Sequence, residues 1–369
     1  MGILTRSFAV RAALLLASGC HDSPFDPPLE TNVSRERLQF IVDSIVAINH
    51  VPGAVVAVRP AGGPEMILAS GTDDLAQHTA MNPSDRFRVG SVTKTMVATV
   101  VLQLADEHAL GLDDLVGTWL PGIVPNASGI TIRQLLNHTS GEFNYTEDAQ
   151  FLAALSANPQ HAWTPEELIA VANGHPVAFP PGASDRWLYS NTNYVLLGMI
   201  LEKVTGSSLS ALLQTRIFDR LALSSAFFAT TSATPVPFSR GYIDFAGTSN
   251  IDVASVLSPT SAWAAGAVAS NAHDLATWSE ALASGALLSA ATQTDRLTVV
   301  VASGLDGYGL GVQTFARWVG HAGEIFGYEA MMYSKPQVGT IVVLVNKSTG
   351  GVAAFQLFNA VRWAKFGTR

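Results

Sequence analysis

Arg88-Val89-Gly90-Ser91-Val92-Thr93-Lys94 is the stretch on which the fold turns. A loop ending in glycine runs here into a pattern whose apolar positions include Val97, Val100, Val101, Leu104 and Ala105, and the spacing predicts a helix over 93–110. At average composition a Ser-x-x-Lys match arises by chance about once in a chain of this length, so its placement carries the information. On a first helical turn residues i and i+3 share a face, which brings the Lys94 amine toward the Ser91 hydroxyl. The helix N-terminus favours an alkoxide at Ser91 and disfavours a second cation, which helps Lys94 lose its proton. A nucleophile and its base thus sit together in one turn.

Outward from this stretch the periodicity changes twice. Toward the N-terminus, Leu38, Ile41, Val42, Ile45 and Val46 mark an amphipathic helix with Ser34 as its cap. Val55–Arg59 and Glu65–Ser70 then read as a hairpin around Pro60, Gly62, Gly63 and Pro64. Toward the C-terminus, 309–315, 328–334 and 340–345 read as strands and 351–365 as a closing helix. Between them, 131–137, 164–173, 194–205 and 209–221 suggest helices joined by Pro/Gly-rich loops. Strands at both ends around a helical middle imply an α+β fold, an α/β sandwich. One antiparallel sheet is built from both chain ends and flanked by the terminal helices, with a mostly helical domain inserted. The expected boundaries are 34–89 plus 296–369 for the α/β domain and 90–295 for the helical one.

Two further polar elements follow Ser91 in order. Tyr189-Ser190-Asn191 stands at a turn after Pro180-Pro181-Gly182 and before the helical run beginning at Tyr194. His321-Ala322-Gly323 is flanked by Tyr308-Gly309-Leu310-Gly311 and Phe326-Gly327-Tyr328, and small residues beside a polar one on a strand let a substrate backbone approach and pair along the edge. Taken together, the three elements resemble the serine β-lactamase and penicillin-binding superfamily, in its branch of class C β-lactamases, D-Ala-D-Ala carboxypeptidases and family VIII esterases. The motif set of class A enzymes has Ser-Asp-Asn and Lys-Thr-Gly where this chain has Tyr-Ser-Asn and His-Ala-Gly. Leu135-Leu136-Asn137-His138-Thr139-Ser140-Gly141, Gly266-Ala267-Val268-Ala269-Ser270 and Asp274-Leu275-Ala276 also look like that branch, and the resemblance covers Ser34 to the C-terminus.

The resemblance implies Ser91 as acylated nucleophile, Lys94 as its base partner and Tyr189 as the group that passes a proton to the leaving atom. It implies that Asn191 holds a substrate amide, that His321 and Gly323 line the substrate strand, and that the backbone N–H groups of Ser91 and Glu324 form the oxyanion hole. Three residues depart from the pattern. Glu324 is a long acid where a small residue is usual, His321 stands where β-lactamases carry lysine, and Ala322 lacks the usual hydroxyl. A histidine is mostly neutral at pH 7, so attraction for a substrate carboxylate is expected to be weak and to strengthen toward pH 6. D-Ala-D-Ala-type carboxypeptidase is the leading assignment, with esterase or class C-like β-lactamase next. A non-catalytic penicillin- or peptidoglycan-binding protein is the rival from another class. The substrate is a small molecule or peptide, and no metal or other cofactor is implied.

Composition bounds the remaining possibilities. With 48% hydrophobic and 14% charged residues, the chain can fill a sizeable core. A net charge of −8 without a basic run gives no footprint for nucleic acid. Arg6 and Arg11 precede the short apolar stretch Ala12–Ala17 and then Ser18-Gly19-Cys20, which reads as a secretory signal over 1–20 ending like a bacterial lipoprotein processing site. Cys20 is the sole cysteine, so no disulfide within the chain is possible. Residues 21–33, with Pro24, Pro27 and Pro28, suit a flexible tether between a lipid-modified Cys20 at the membrane surface and the domain. A bacterial cell-envelope location is the expectation. Gly307, Gly309 and Gly311 have no phosphate-binding helix after them, and His-Glu-x-x-His and Gly-x-Ser-x-Gly are both absent.

Overall fold

The computed structural model describes residues 33–367 apart from 126, 245–249, 255 and 301–305, so Cys20 and its leader lie outside the described residues. Ser34 caps helix α1 (Arg35–Ile48), its hydroxyl accepting from the Arg37 amide at 3.3 Å, and Leu38, Val42 and Val46 form the buried stripe. Strands β1 (Gly53–Pro60), β2 (Met66–Asp74) and β3 (Thr79–Ala80) follow. Helix α2 (Thr93–Asp106), helix α3 (Asn191–Thr205) and helix α4 (Ala272–Ser284) are the longest of the middle region. The chain then returns through β4 (Gly307–Tyr308), β5 (Gln313–Phe315), β6 (Trp318–Ile325), β7 (Tyr328–Lys335) and β8 (Gly339–Val345), and closes with helix α5 (Val352–Phe366).

These strands make one eight-stranded sheet in the order β3-β2-β1-β8-β7-β6-β5-β4, with antiparallel neighbours throughout. The two ends of the chain meet at its centre, where Val56 pairs with Val343. Both faces of that centre are covered. Val56, Val58, Ile341 and Val343 pack with α1 and α5, whereas Val55, Ala57, Val342 and Leu344 pack toward α2, α3 and α4. Burial on both sides explains why β1 and β8 read as continuous apolar runs rather than alternating ones. The β6–β7 hairpin turns on Phe326-Gly327, where Gly327 takes a φ of +86° that few other residues adopt without strain.

Several elements differ from the expectation. Of the run 309–315 only 313–315 is strand (β5), because the chain doubles back after β4: Gly311 has a φ of +75°, and the Gly309 amide donates to the Val312 carbonyl at 2.8 Å. The helix expected over 93–110 stops at Asp106, where His108 enters the left-handed region and its amide turns back to Ala105. The run 209–221 yields a five-residue helix followed by a wider turn over 214–218. Helices at 149–157 and 272–284 lay outside the expected set, and the strand expected at His321-Ala322-Gly323 extends over the whole of β6.

Candidate active site

Ser91 lies not on a first α-helical turn but in a short 3-10 turn (Gly90–Val92) that feeds α2. The turn is pinned from one side by the strand 268–270: the Val89 amide donates to the Val268 carbonyl, and the Val268 amide donates to Thr93 Oγ1. On the other side it lies against β6. A Cβ on Gly323 would stand 2.0 Å from the Val89 carbonyl oxygen and 3.2 Å from the Ser91 nitrogen, and one on Gly90 would stand 2.7–2.9 Å from the Glu324 backbone. Glycine at both positions is therefore what lets the serine turn and the strand edge meet, with Gly90 at a φ of +52°.

Lys94 is fully buried, and its Nζ reaches Ser91 Oγ at 3.0 Å, Asn191 Oδ1 at 2.7 Å and the Ala265 carbonyl at 2.8 Å. Burial pushes its pKa far below the ordinary lysine value. A neutral amine has two N–H bonds and one lone pair. Asn191 Oδ1 and the Ala265 carbonyl can only accept, so the two N–H bonds go to them and the lone pair faces the Ser91 hydroxyl.

Tyr189 closes the site from the loop before α3. Its ring lies 4.9 Å from Lys94 Nζ, and its hydroxyl is shut off from solvent, faces Ser91 and makes no hydrogen bond of good geometry. Burial drives the phenol well above its ordinary pKa, against a small opposing effect of Ser91. Asn191 has both ends of its amide engaged: Oδ1 with Lys94, and Nδ2 with Asn144 Oδ1 at 3.2 Å and Thr146 Oγ1 at 3.1 Å.

His321 is buried on the site-facing side of β6. Nδ1 contacts the Ala322 carbonyl, which can only accept, so Nδ1 carries the proton and Nε2 accepts from the Tyr308 hydroxyl at 2.9 Å. Both nitrogens are satisfied by the neutral ring. Burial, followed by the nearby Lys94, pushes its pKa down to about 3. The expected gain of carboxylate affinity toward pH 6 therefore loses its basis in the free enzyme.

Strand alternation decides where the two other departures point. Trp318 and Ala322 pack with the terminal-helix cluster, while Val319 and Ile325 pack with the inner core. Glu324 shares the face of Ala322 and pairs directly with Glu329, whose carboxylate accepts from the amides of Gly351 and Ala354 at the start of α5. The Glu324 side chain thus folds away behind the sheet and leaves only its backbone beside Gly90. Burial, the Glu329 charge and a partly offsetting hydrogen bond from the Gly350 amide leave its pKa at about 7.

Two side chains of the site were not singled out as functional from the sequence. His138 is fully buried, with its ring 4.4 Å from Tyr189 and 4.8 Å from Tyr308. Its Nδ1 accepts from the Ser190 amide at 3.2 Å and from Asn193 Nδ2 at 3.1 Å, so it is a packing and orienting group rather than a metal ligand. Tyr308 was visible only as part of a glycine-rich run.

This geometry can be set beside known proteins. The family described as Beta-lactamase matches residues 38–362. The D-stereospecific amidohydrolase of a Streptomyces species has a similar structure, with 35% identity, a TM-score of 0.82, and coverage of 91% of this chain and 100% of that one. The D-amino acid amidase of Ochrobactrum anthropi SV3 is 25% identical with a TM-score of 0.80, covering 89% of this chain and 99% of that one. A penicillin-binding protein of Bacillus subtilis (strain 168) is 31% identical over 185 residues, 50% of this chain and 39% of that relative, so the chain matches well under half of the relative's length. By the span of the family match and the shared architecture, the chain belongs to the Beta-lactamase family, within the serine β-lactamase and penicillin-binding superfamily, and is a hydrolase of that fold.

Proposed function

We propose that this chain hydrolyses amides and esters of D-configured acyl groups through an acyl-Ser91 intermediate, preferring donors whose leaving group bears no carboxylate. The observation that carries the preference is the neutral His321, held by the Tyr308 hydroxyl and the Ala322 carbonyl at the strand position where a cation would attract a carboxylate. The similarity to a D-stereospecific amidohydrolase and a D-amino acid amidase supports the D-configured donor. The D-Ala-D-Ala carboxypeptidase assignment is the second reading, favoured by the penicillin-binding relative. It shares the acyl donor and differs in the charge of the leaving side.

Burial separates the two proton carriers: Lys94 is pushed down and Tyr189 up, which supports a neutral amine as resting base and a neutral phenol as donor. Ser91 Oγ attacks the carbonyl carbon while its proton passes to the Lys94 lone pair. The tetrahedral oxyanion is held by the Ser91 and Glu324 amides. Collapse breaks the bond to the leaving group, which takes the Tyr189 proton. Tyr189 recovers that proton from Lys94, and the same groups then activate water against the acyl-enzyme. Asn191 acts here on Lys94 rather than on the substrate.

A substrate panel tests the proposal: D-phenylalanine amide, a short acyl ester, a peptide ending in D-Ala-D-Ala and a chromogenic cephalosporin, each with a Ser91→Ala control. Turnover of the amide and ester above the peptide, lost in Ser91→Ala, is expected. Fast cephalosporin hydrolysis with amide and ester untouched would overturn the preference, and undiminished activity of Ser91→Ala would overturn the mechanism.

A further inference from the structure

Asn144 lies two residues beyond Glu142 in a loop that carries no catalytic group, yet it is buried and sits directly behind Asn191. The Asn191 backbone amide donates to Asn144 at 3.0 Å. A backbone N–H is only a donor, so the Asn144 atom facing it is Oδ1, and Nδ2 faces the Glu147 carboxylate at 3.2 Å. The same Oδ1 also faces the Asn191 side-chain amide at 3.2 Å, which must then turn its Nδ2 inward toward Asn144 and Thr146. Asn191 Oδ1 is left pointing at Lys94 Nζ. Each orientation follows from the one before, beginning at a group whose polarity cannot change.

We propose that Asn144 is the positioning residue that fixes the Asn191 amide and, through it, aims the Lys94 lone pair at Ser91. The inference rests on Lys94 being the base of the proposed reaction. Without Asn144 the Asn191 side-chain amide keeps only Thr146 Oγ1, which now donates to Asn144 Oδ1 and, once released, can donate as well as accept, so the amide can rotate and present Nδ2 to Lys94. Two donors would then face each other, and the amine's lone pair would be drawn from Ser91 toward Asn191. An ammonium has more to lose from that rotation than an amine, so Lys94 should ionise at still lower pH. Other groups facing Lys94 are unchanged by the rotation: Tyr189 and Tyr194 by their rings, His138 from the loop after 132–136, and His321 from β6.

The test is the acylation rate with p-nitrophenyl butyrate as a function of pH for Asn144→Ala and Asn144→Asp. Asn144→Ala should lower kcat about tenfold or more with KM within about threefold, and move the acid limb of kcat/KM down by about half a pH unit. Asn144→Asp keeps an acceptor for both Asn191 donors and adds negative charge, so it should restore kcat to within about threefold of wild type and move the limb up. If Asn144→Ala does not fold, Asn144→Ser, too short to reach both Asn191 donors, takes its place with the same downward shift expected, since an upward shift in Asn144→Asp follows from its charge alone. Limbs that stay at the wild-type pH in the variants that fold would overturn the inference, whatever the rates. A burst that persists in Ser91→Ala would instead strike the proposed function, so the two failures are distinguishable.

Discussion

Replacing Glu324 by glutamine should stabilise the protein at alkaline pH and leave it nearly unchanged at pH 5. The Glu324 carboxyl titrates at about 7 against an ordinary 4.5, because it is buried behind β6 opposite the Glu329 carboxylate. The folded protein then holds a proton that the unfolded chain has released between those two values. Stability accordingly falls as pH rises from about 4.5 to about 7 and is level above it. At about 1.4 kcal/mol per pH unit, the gap corresponds to about 3 kcal/mol. Glutamine mimics the protonated form and removes that loss, less whatever the Gly350 amide contributes to holding the charged form. Urea unfolding at pH 5.0 and pH 8.5 gives the comparison: Glu324→Gln should match wild type at the first and exceed it by about 2–3 kcal/mol at the second. Its side chain faces α5 rather than Ser91, so kcat/KM should stay within about twofold at pH 7. Equal differences at both pH values would refute the reasoning, and a tenfold loss of kcat/KM with the fold intact would show that the side chain reaches the site.

Lys94→Ala and Tyr189→Phe should each lower turnover by about a hundredfold or more, as loss of a positioned proton carrier does, and steady-state rates on the acyl ester check both. Tyr308→Phe removes the hydroxyl partner of His321 Nε2 but leaves the burial that holds the ring neutral, so KM for a D-Ala-D-Ala peptide should still show no imidazole step between pH 8 and 5. In the wild type, with His321 at about 3, the same KM should show no imidazole step between pH 8 and 5; a step near 6.5 would contradict the buried, neutral ring. Cys20→Ser should move the protein from the membrane to the soluble fraction on cell fractionation, and a native protein that is fully soluble with its N-terminus away from Cys20 would end the lipid-anchor expectation.

What could be read in the sequence follows the range of the interaction. Ser91 and Lys94 are three residues apart, so their meeting was legible from helical spacing, and the actual 3-10 turn alters the geometry without separating them. The central strands were legible because β1 and β8 are covered on both faces and have to be apolar throughout. The position of Glu324 was legible in principle and was missed: had β6 been drawn from Trp318 to Ile325, period-two alternation would have set Glu324 with Ala322 and opposite His321. The environment of His321 was beyond sequence reasoning. Its neutrality comes from burial and from Lys94, which lies 227 residues earlier in the chain, and its Nε2 is held by Tyr308 across a doubled-back loop. Asn144 was equally hidden, since it reaches Asn191 only because the loop before 149–157 folds under α3. Groups that perform a bond change sit in short motifs, because reacting atoms must be close and local turns supply closeness cheaply. Groups that set a proton affinity are gathered from distant segments, because desolvation is a sum over everything packed around the site. A histidine in place of lysine is therefore a statement about substrate charge only after its surroundings are known, and here they turn a pH-sensitive expectation into a pH-insensitive one.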